Sequence, residues 1–147
     1  MAHSEVEIVL VEDNSADLEL TLYALRQSHL VNNIHIARDG AEALDFLFCQ
    51  GQYAERAFLL PRLILLDLKL PKVDGLEVLQ AIRNDERTKL IPVVVLTSSK
   101  EQKDIVGSYQ LHVNSYIQKP VDFDQFRQTI QQLGLYWLVV NQTPFSS

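Results

Sequence analysis

The chain is 147 residues long, 47% hydrophobic and 22% charged, with a net charge of −6, which suits one globular domain with its own core. Its 13 Lys and Arg residues are scattered among 19 acids, so no basic stripe offers a footprint for nucleic-acid phosphates. The single cysteine excludes an internal disulfide and a cysteine-rich zinc site, and neither a signal peptide nor an apolar run of roughly 20 residues is present, so the expectation is a cytoplasmic protein without a membrane anchor.

In chain order, Ile8-Val9-Leu10-Val11 is an apolar run without alternation, the pattern of a strand buried on both faces of a parallel sheet, and it stops at Glu12-Asp13. Leu18, Leu22 and Leu25 then recur at i, i+4, i+7 behind the capping candidates Asn14 and Ser15, which predicts a helix over 15–28. A short strand over 33–37 follows. Asp39-Gly40 turns the chain into a second helix with Ala43, Leu44 and Leu47 inward, ending near Cys49, itself expected as a small buried hydrophobe. A polar connector over 50–62, closed by Pro61, leads to the run Leu63-Ile64-Leu65-Leu66, which stops at Asp67. Asp74-Gly75 opens a third helix with Leu76, Leu79 and Ile82 inward, and Pro92 starts the run Val93-Val94-Val95-Leu96, which stops at Thr97. The segment 100–109 is polar and weakly periodic, predicting a shorter, looser helix. Ser115 to Gln118 is a short strand ending at Lys119-Pro120, and Phe126, Ile130, Leu133 and Trp137 mark a long last helix from Phe123.

Five strands alternating with five helices imply right-handed crossovers and a parallel sheet, hence an α/β fold, a flavodoxin-like (βα)5 three-layer sandwich with strand order 2-1-3-4-5. That order sets the first and third strands side by side. Ligands bind beyond the carboxyl ends of such strands, so Glu12, Asp13, Asp67, Thr97 and Lys119 are expected to meet there. Three carboxylates in one pocket repel unless a cation offsets them, and Mg²⁺ favours one or two carboxylates, waters and a phosphate; the backbone carbonyl of Lys69 is a further candidate ligand. The same set suits phosphoryl transfer. Asp67 is the candidate nucleophile, forming an aspartyl phosphate, with Lys119 and Mg²⁺ offsetting charge on the phosphoryl oxygens and Thr97 donating a hydrogen bond. Each residue alone has a plainer explanation as a turn cap, a strand end or a solvated lysine; the inference rests on the combination.

The segments Val11-Glu12-Asp13-Asn14, Leu65-Leu66-Asp67-Leu68-Lys69-Leu70-Pro71-Lys72-Val73-Asp74-Gly75, Val93-Val94-Val95-Leu96-Thr97-Ser98 and Tyr116-Ile117-Gln118-Lys119-Pro120 together resemble the receiver domain of two-component response regulators, over about 6–133. Thr97 and Lys119 follow Asp67 by 30 and 52 residues, as in that family. The connector before Pro61, the stretch 111–114 and the aromatic tail resemble the small regulators paired with cyanobacterial phytochromes. The resemblance implies that Asp67 accepts a phosphoryl group from a phosphohistidine on a sensor histidine kinase, of phytochrome type, that Glu12 and Asp13 hold Mg²⁺, and that Thr97 and Lys119 read the phosphate. It places Tyr116 as a rotating switch aromatic, against the plainer reading of a core-edge ring with its hydroxyl in water. It makes Lys69 and Ser99 the positions that tune hydrolysis, and it gives the surface around Asn14, Ser15, Ala16 and Leu18 a share in kinase docking beside capping and core packing.

After Lys119 only 28 residues remain. The expectation is therefore a single receiver domain over 1–147 with a tail over 134–147, not itself an enzyme, signalling by protein contact. Leu135, Tyr136, Trp137, Leu138, Val139 and Val140 form an apolar run too broad for one buried stripe. It suits a homodimer through Leu135, Trp137 and Leu138, or a tail folded back on its own domain. His3, His29, His35 and His112 show no ligand spacing and read as surface or packing residues. Two other functions stay open: a Mg²⁺-dependent aspartyl-phosphate phosphatase, which usually carries Asp-x-Asp after its first strand where this chain has Asp67-Leu68-Lys69 after its third, and a binding module that is never phosphorylated, which would usually have lost an acid or the lysine.

Overall fold

The computed structural model describes residues 6–27, 33–70, 72–97 and 111–133. The expected helix over 100–109, Ser99, His3, His29 and the tail with Leu135, Trp137 and Leu138 lie outside them. Five parallel strands, β1 (Ile8–Val11), β2 (Ile34–Ala37), β3 (Leu63–Asp67), β4 (Val93–Thr97) and β5 (Ser115–Gln118), form one sheet in the order β2-β1-β3-β4-β5. Four helices accompany them among the described residues: α1 (Ser15–Gln27), α2 (Gly40–Leu47), α3 (Gly75–Asn84) and α4 (Phe123–Gln132). None is long and apolar enough to cross a membrane.

The apolar runs give the sheet its two faces. Successive side chains alternate, so Val9, Val11, Ile64, Leu66, Val93 and Val95 pack with Phe46, Leu47, Val78, Leu79 and Ile82 of α2 and α3. Ile8, Leu10, Leu63, Leu65, Val94 and Leu96 pack on the other face with Ala24, Leu25, Phe126 and Ile130 of α1 and α4. Every residue of β1, β3 and β4 is buried, which is why these strands read as unbroken apolar runs. Register places Val11 beside Leu66 and Asp67 beside Leu96. The polar residues that follow these strands therefore emerge at one edge.

The helices start at acids or amides. Asn14 Oδ1 accepts from the Asp17 amide at 2.9 Å at the head of α1, Asp39 caps α2, Asp74 and Glu77 form a capping box on α3, and Asp122 caps α4. Each cap satisfies amides that have no partner in the first turn. Their inward stripes differ in detail from the expected ones. In α1 the buried residues are Thr21, Ala24 and Leu25, with Leu18 and Leu22 at the rim. In α2 the largest buried side chain is Phe46, while Leu44 is only partly covered. Cys49 is half-buried and occupies the left-handed region at φ 56°. It ends α2 in a Schellman turn, with the Gln50 amide donating to Asp45 O at 2.8 Å and the Cys49 amide to Phe46 O at 3.4 Å. The position serves the backbone, which is why the thiol does not enter the core.

Phe46 is buried because β2 is an edge strand whose His35 needs a cover. The two rings stack at 3.7 Å and 6°, Arg56 lies over the Phe46 ring at 3.8 Å, and Tyr53, in a 3₁₀ turn over Gly51–Tyr53, meets both rings edge-on. Burial lowers the His35 pKa from its usual 6.5, with Glu42 opposing and Arg56 adding to the effect. The unfolded chain thus takes the proton first, and His35 contributes stability that is full above pH 6.5 and lost as pH falls through the folded value. Between pH 7.5 and 5.5 the His35→Phe chain is expected to lose less stability than the parent, by no more than about 1.4 kcal/mol per pH unit. Urea unfolding at several pH values measures this, and parallel pH slopes for the two chains refute it.

Two glycines let the helices approach the loop after Asp67. A Cβ on Gly40 would sit 2.0 Å from Val73 O, and one on Gly75 would sit 2.5 Å from Asp67 O. The Gly75 amide donates to Leu68 O at 3.1 Å. Val73 is in this way held against the head of α2, and Asp67 and Leu68 against the head of α3.

Candidate functional site

At the carboxyl edge of the sheet, Glu12 and Asp13 leave β1, Asp67 ends β3, Thr97 ends β4 and Lys119 follows β5. The structure brings Glu12, Asp67 and Lys119 into contact. Lys119 Nζ lies 2.7 Å from Glu12 Oε1 and 3.1 Å from Asp67 Oδ2. A third acid completes the ring around the ammonium: Asp17 Oδ2, on the first turn of α1, is also 3.1 Å away. No local pattern marks Asp17, since its partner lies 102 residues further on.

The second oxygens of Asp67 and Glu12 are held by backbone. The Lys69 amide donates to Asp67 Oδ1 at 3.1 Å, and the Asn14 amide to Glu12 Oε2 at 3.2 Å. Arg38, just past β2, donates to Asp13 O and Ser15 Oγ at 3.1 Å each, fixing the loop that carries the acid pair. Asp13 itself is exposed, whereas Glu12, Asp67 and Thr97 are buried. The Lys119 amide donates to Thr97 O at 2.9 Å, which sets the lysine beside the end of β4. The Lys119-Pro120 peptide is cis.

Burial sets the electrostatics. It raises the Glu12 pKa from 4.5 to about 7, with the Asp67 charge adding to the shift and Lys119 opposing it. Burial alone would lower Lys119, but Glu12, Asp67 and Asp17 outweigh it and hold the ammonium above its usual value. One carboxylate oxygen from each of Glu12, Asp13 and Asp67 lies within 4.8 Å of the others. Among the described residues Glu12 Oε1 accepts no well-angled hydrogen bond, and it lies 2.7 Å from the Lys119 ammonium. Buried carboxylate oxygens facing one exposed acid form a donor set suited to a hard, partly hydrated divalent cation.

Tyr116 lies on the edge strand β5, opposite Val95, and is 40% exposed. Of the described histidines, His35 packs on Phe46, whereas His112 is an exposed residue with φ 59°.

A family profile described as a response regulator receiver domain matches residues 8–131. Among curated proteins, the probable methanogenesis regulatory protein FilR2 of Methanothrix harundinacea (strain 6Ac) is 44% identical over 137 residues, 93% of this chain and 86% of its own length. Response regulator Rcp1 of Synechocystis sp. (strain ATCC 27184 / PCC 6803 / Kazusa) is 44% identical over 131 residues, 89% of this chain and 88% of its own. Among solved structures, the bacteriophytochrome response regulator RtBRR matches with a TM-score of 0.85 and 52% identity, covering 96% of this chain and 85% of that one. The phosphorylated cyanobacterial phytochrome response regulator RcpA matches at 0.76 and 44%, covering 93% and 96%. The Mn²⁺-bound form of Rcp1 matches at 0.75 and 41%, covering 95% and 99%.

Proposed function

Because the chain belongs to the response regulator receiver domain family, we propose that it takes a phosphoryl group on Asp67 from a phosphohistidine of a sensor histidine kinase, of phytochrome type, and passes the signal on by protein contact. The observation that carries this reading is the carboxylate of Asp67 held on both oxygens at the sheet edge, by the Lys69 amide at 3.1 Å and by Lys119 Nζ at 3.1 Å. A carboxylate oxygen of Asp67 attacks phosphorus; the O–P bond forms as the N–P bond breaks, and its electron pair leaves on the imidazole nitrogen. Lys119 donates to a phosphoryl oxygen and offsets its charge, while the Lys69 amide keeps the carboxylate facing the pocket. Thr97, which ends β4, is the proposed donor to another phosphoryl oxygen. Glu12, Asp13, Asp67 and the Lys69 carbonyl are the proposed ligands of Mg²⁺, which neutralises equatorial charge during transfer when it is bound. The Mn²⁺-bound and phosphorylated relatives support both halves of this proposal.

New charge on Asp67 and its hydrogen bond to Thr97 would be read at Tyr116 on the neighbouring strand, making that face the output surface. The apolar run over 135–140 supports a homodimer as the signalling form.

The test is labelling by a small acyl phosphate. Label is expected with Mg²⁺ and not after chelation, and label that is indifferent to chelation refutes the cation's part. Saturating Mg²⁺ is also expected to stabilise the chain by about 2–3 kcal/mol at a hundredfold excess over Kd, read as a rise in melting temperature. Asp13→Ala should remove that rise.

A further inference from the structure

We propose that Asp17 is a positioning residue for Lys119, holding the ammonium when a divalent cation draws Glu12 and Asp67 away from it. An ammonium has three N–H donors, and Lys119 faces three acids, Glu12, Asp17 and Asp67. Two of these also belong to the group of acids that can converge on a cation; Asp17 does not, since that group is Glu12, Asp13 and Asp67. The Asp17 carboxylate is not used as a helix cap, because that role falls to Asn14, which takes the Asp17 amide. It therefore projects from the first turn of α1 onto a lysine whose side chain is only 6% exposed.

This arrangement resolves a competition between cations. Lys119 and a divalent ion both draw on Glu12 and Asp67, and like charges side by side repel. An ammonium stripped of both partners in a buried position is strongly disfavoured. Asp17 stands on the wetter side, 29% exposed, and its pair with Lys119 is the one that the ion's entry would leave intact. The lysine then stays beside Asp67, ready for a phosphoryl oxygen, instead of keeping the acids for itself.

The inference rests on the cation reading above, and its test is the binding of Mn²⁺ alone, followed by electron paramagnetic resonance at fixed pH, in a double-mutant cycle. Asp17→Asn is expected to weaken Mn²⁺ binding about fivefold while Lys119 is present and less than about twofold in a Lys119→Gln chain, where only the distant charge is lost. Asp17→Ala, run in parallel, is expected to repeat that pattern, so the result does not depend on the carboxamide. Equal losses in the two backgrounds, or no loss in either, overturn the positioning role. Absence of Mn²⁺ binding by the parent overturns it together with the cation reading. Failure to take label from an acyl phosphate, with the cycle still coupled, removes the phosphoacceptor reading and leaves Asp17's role standing.

Discussion

Asp67→Asn is expected to take no phosphoryl label, a loss of at least a hundredfold, while unfolding no more easily than the parent. The first half follows from the chemistry: a carboxamide is not a nucleophile towards phosphorus and forms no acyl phosphate. The second half follows from the charge ring. Asp67 is buried beside Glu12, and its charge helps to push the Glu12 pKa up to about 7. Removing it relieves repulsion, and Lys119 keeps Glu12 at 2.7 Å and Asp17 at 3.1 Å. Two opposed effects of a few kcal/mol nearly cancel, so stability should lie within about 1 kcal/mol of the parent, on the stable side. Acid-labile label from an acyl phosphate measures the first half and thermal unfolding the second. Label surviving the substitution would move the acceptor elsewhere, and a large fall in melting temperature would make Asp67 a structural residue.

The largest loss of stability is expected at the opposite pole, from Arg83→Ala. Arg83 is near the end of α3, and its five N–H groups are all engaged: Nε on Leu111 O at 3.0 Å, Nη1 on Lys89 O and Ile91 O at 3.0 and 2.8 Å, and Nη2 on His112 O and Asn114 Oδ1 at 3.0 and 3.2 Å. Asn114 Oδ1 in turn accepts from the Val93 amide at 2.8 Å. One guanidinium thus ties α3 to the entries of β4 and β5, the strands that end at Thr97 and lead to Lys119. Five bonds at a net 0.5–1.5 kcal/mol each, less those that water replaces, amount to about 3 kcal/mol, a large share of a typical domain's 5–15 kcal/mol. Arg83→Lys should recover less than half of it, because a lysine cannot fork across five acceptors. Urea midpoints at an unchanged slope measure both. A midpoint equal to the parent's would show that water serves those carbonyls as well.

The sheet was legible because its central strands are buried on both faces, which leaves an apolar run that periodicity reads directly; β1, β3 and β4 match the expected segments. Helix faces were less legible. Leu44 looked as inward as Leu47, yet Phe46 took the core position because β2 is an edge strand and His35 on it required a flat cover. Cys49 looked like a core hydrophobe and instead closes α2, since a residue past a helix end is governed by the turn and not by its hydropathy.

The strand order and the edge at which Glu12, Asp13, Asp67, Thr97 and Lys119 emerge were readable from local pattern, because alternation of strands and helices leaves few topologies and each run ends at its polar residue. Which side chains share a charge depends on how the chain packs. No local pattern marks out Asp17 or Arg83, and their work depends on partners 102 residues ahead in one case and spread from Lys89 to Asn114 in the other. Local pattern carries no information about such distances; chain crossing and packing supply it.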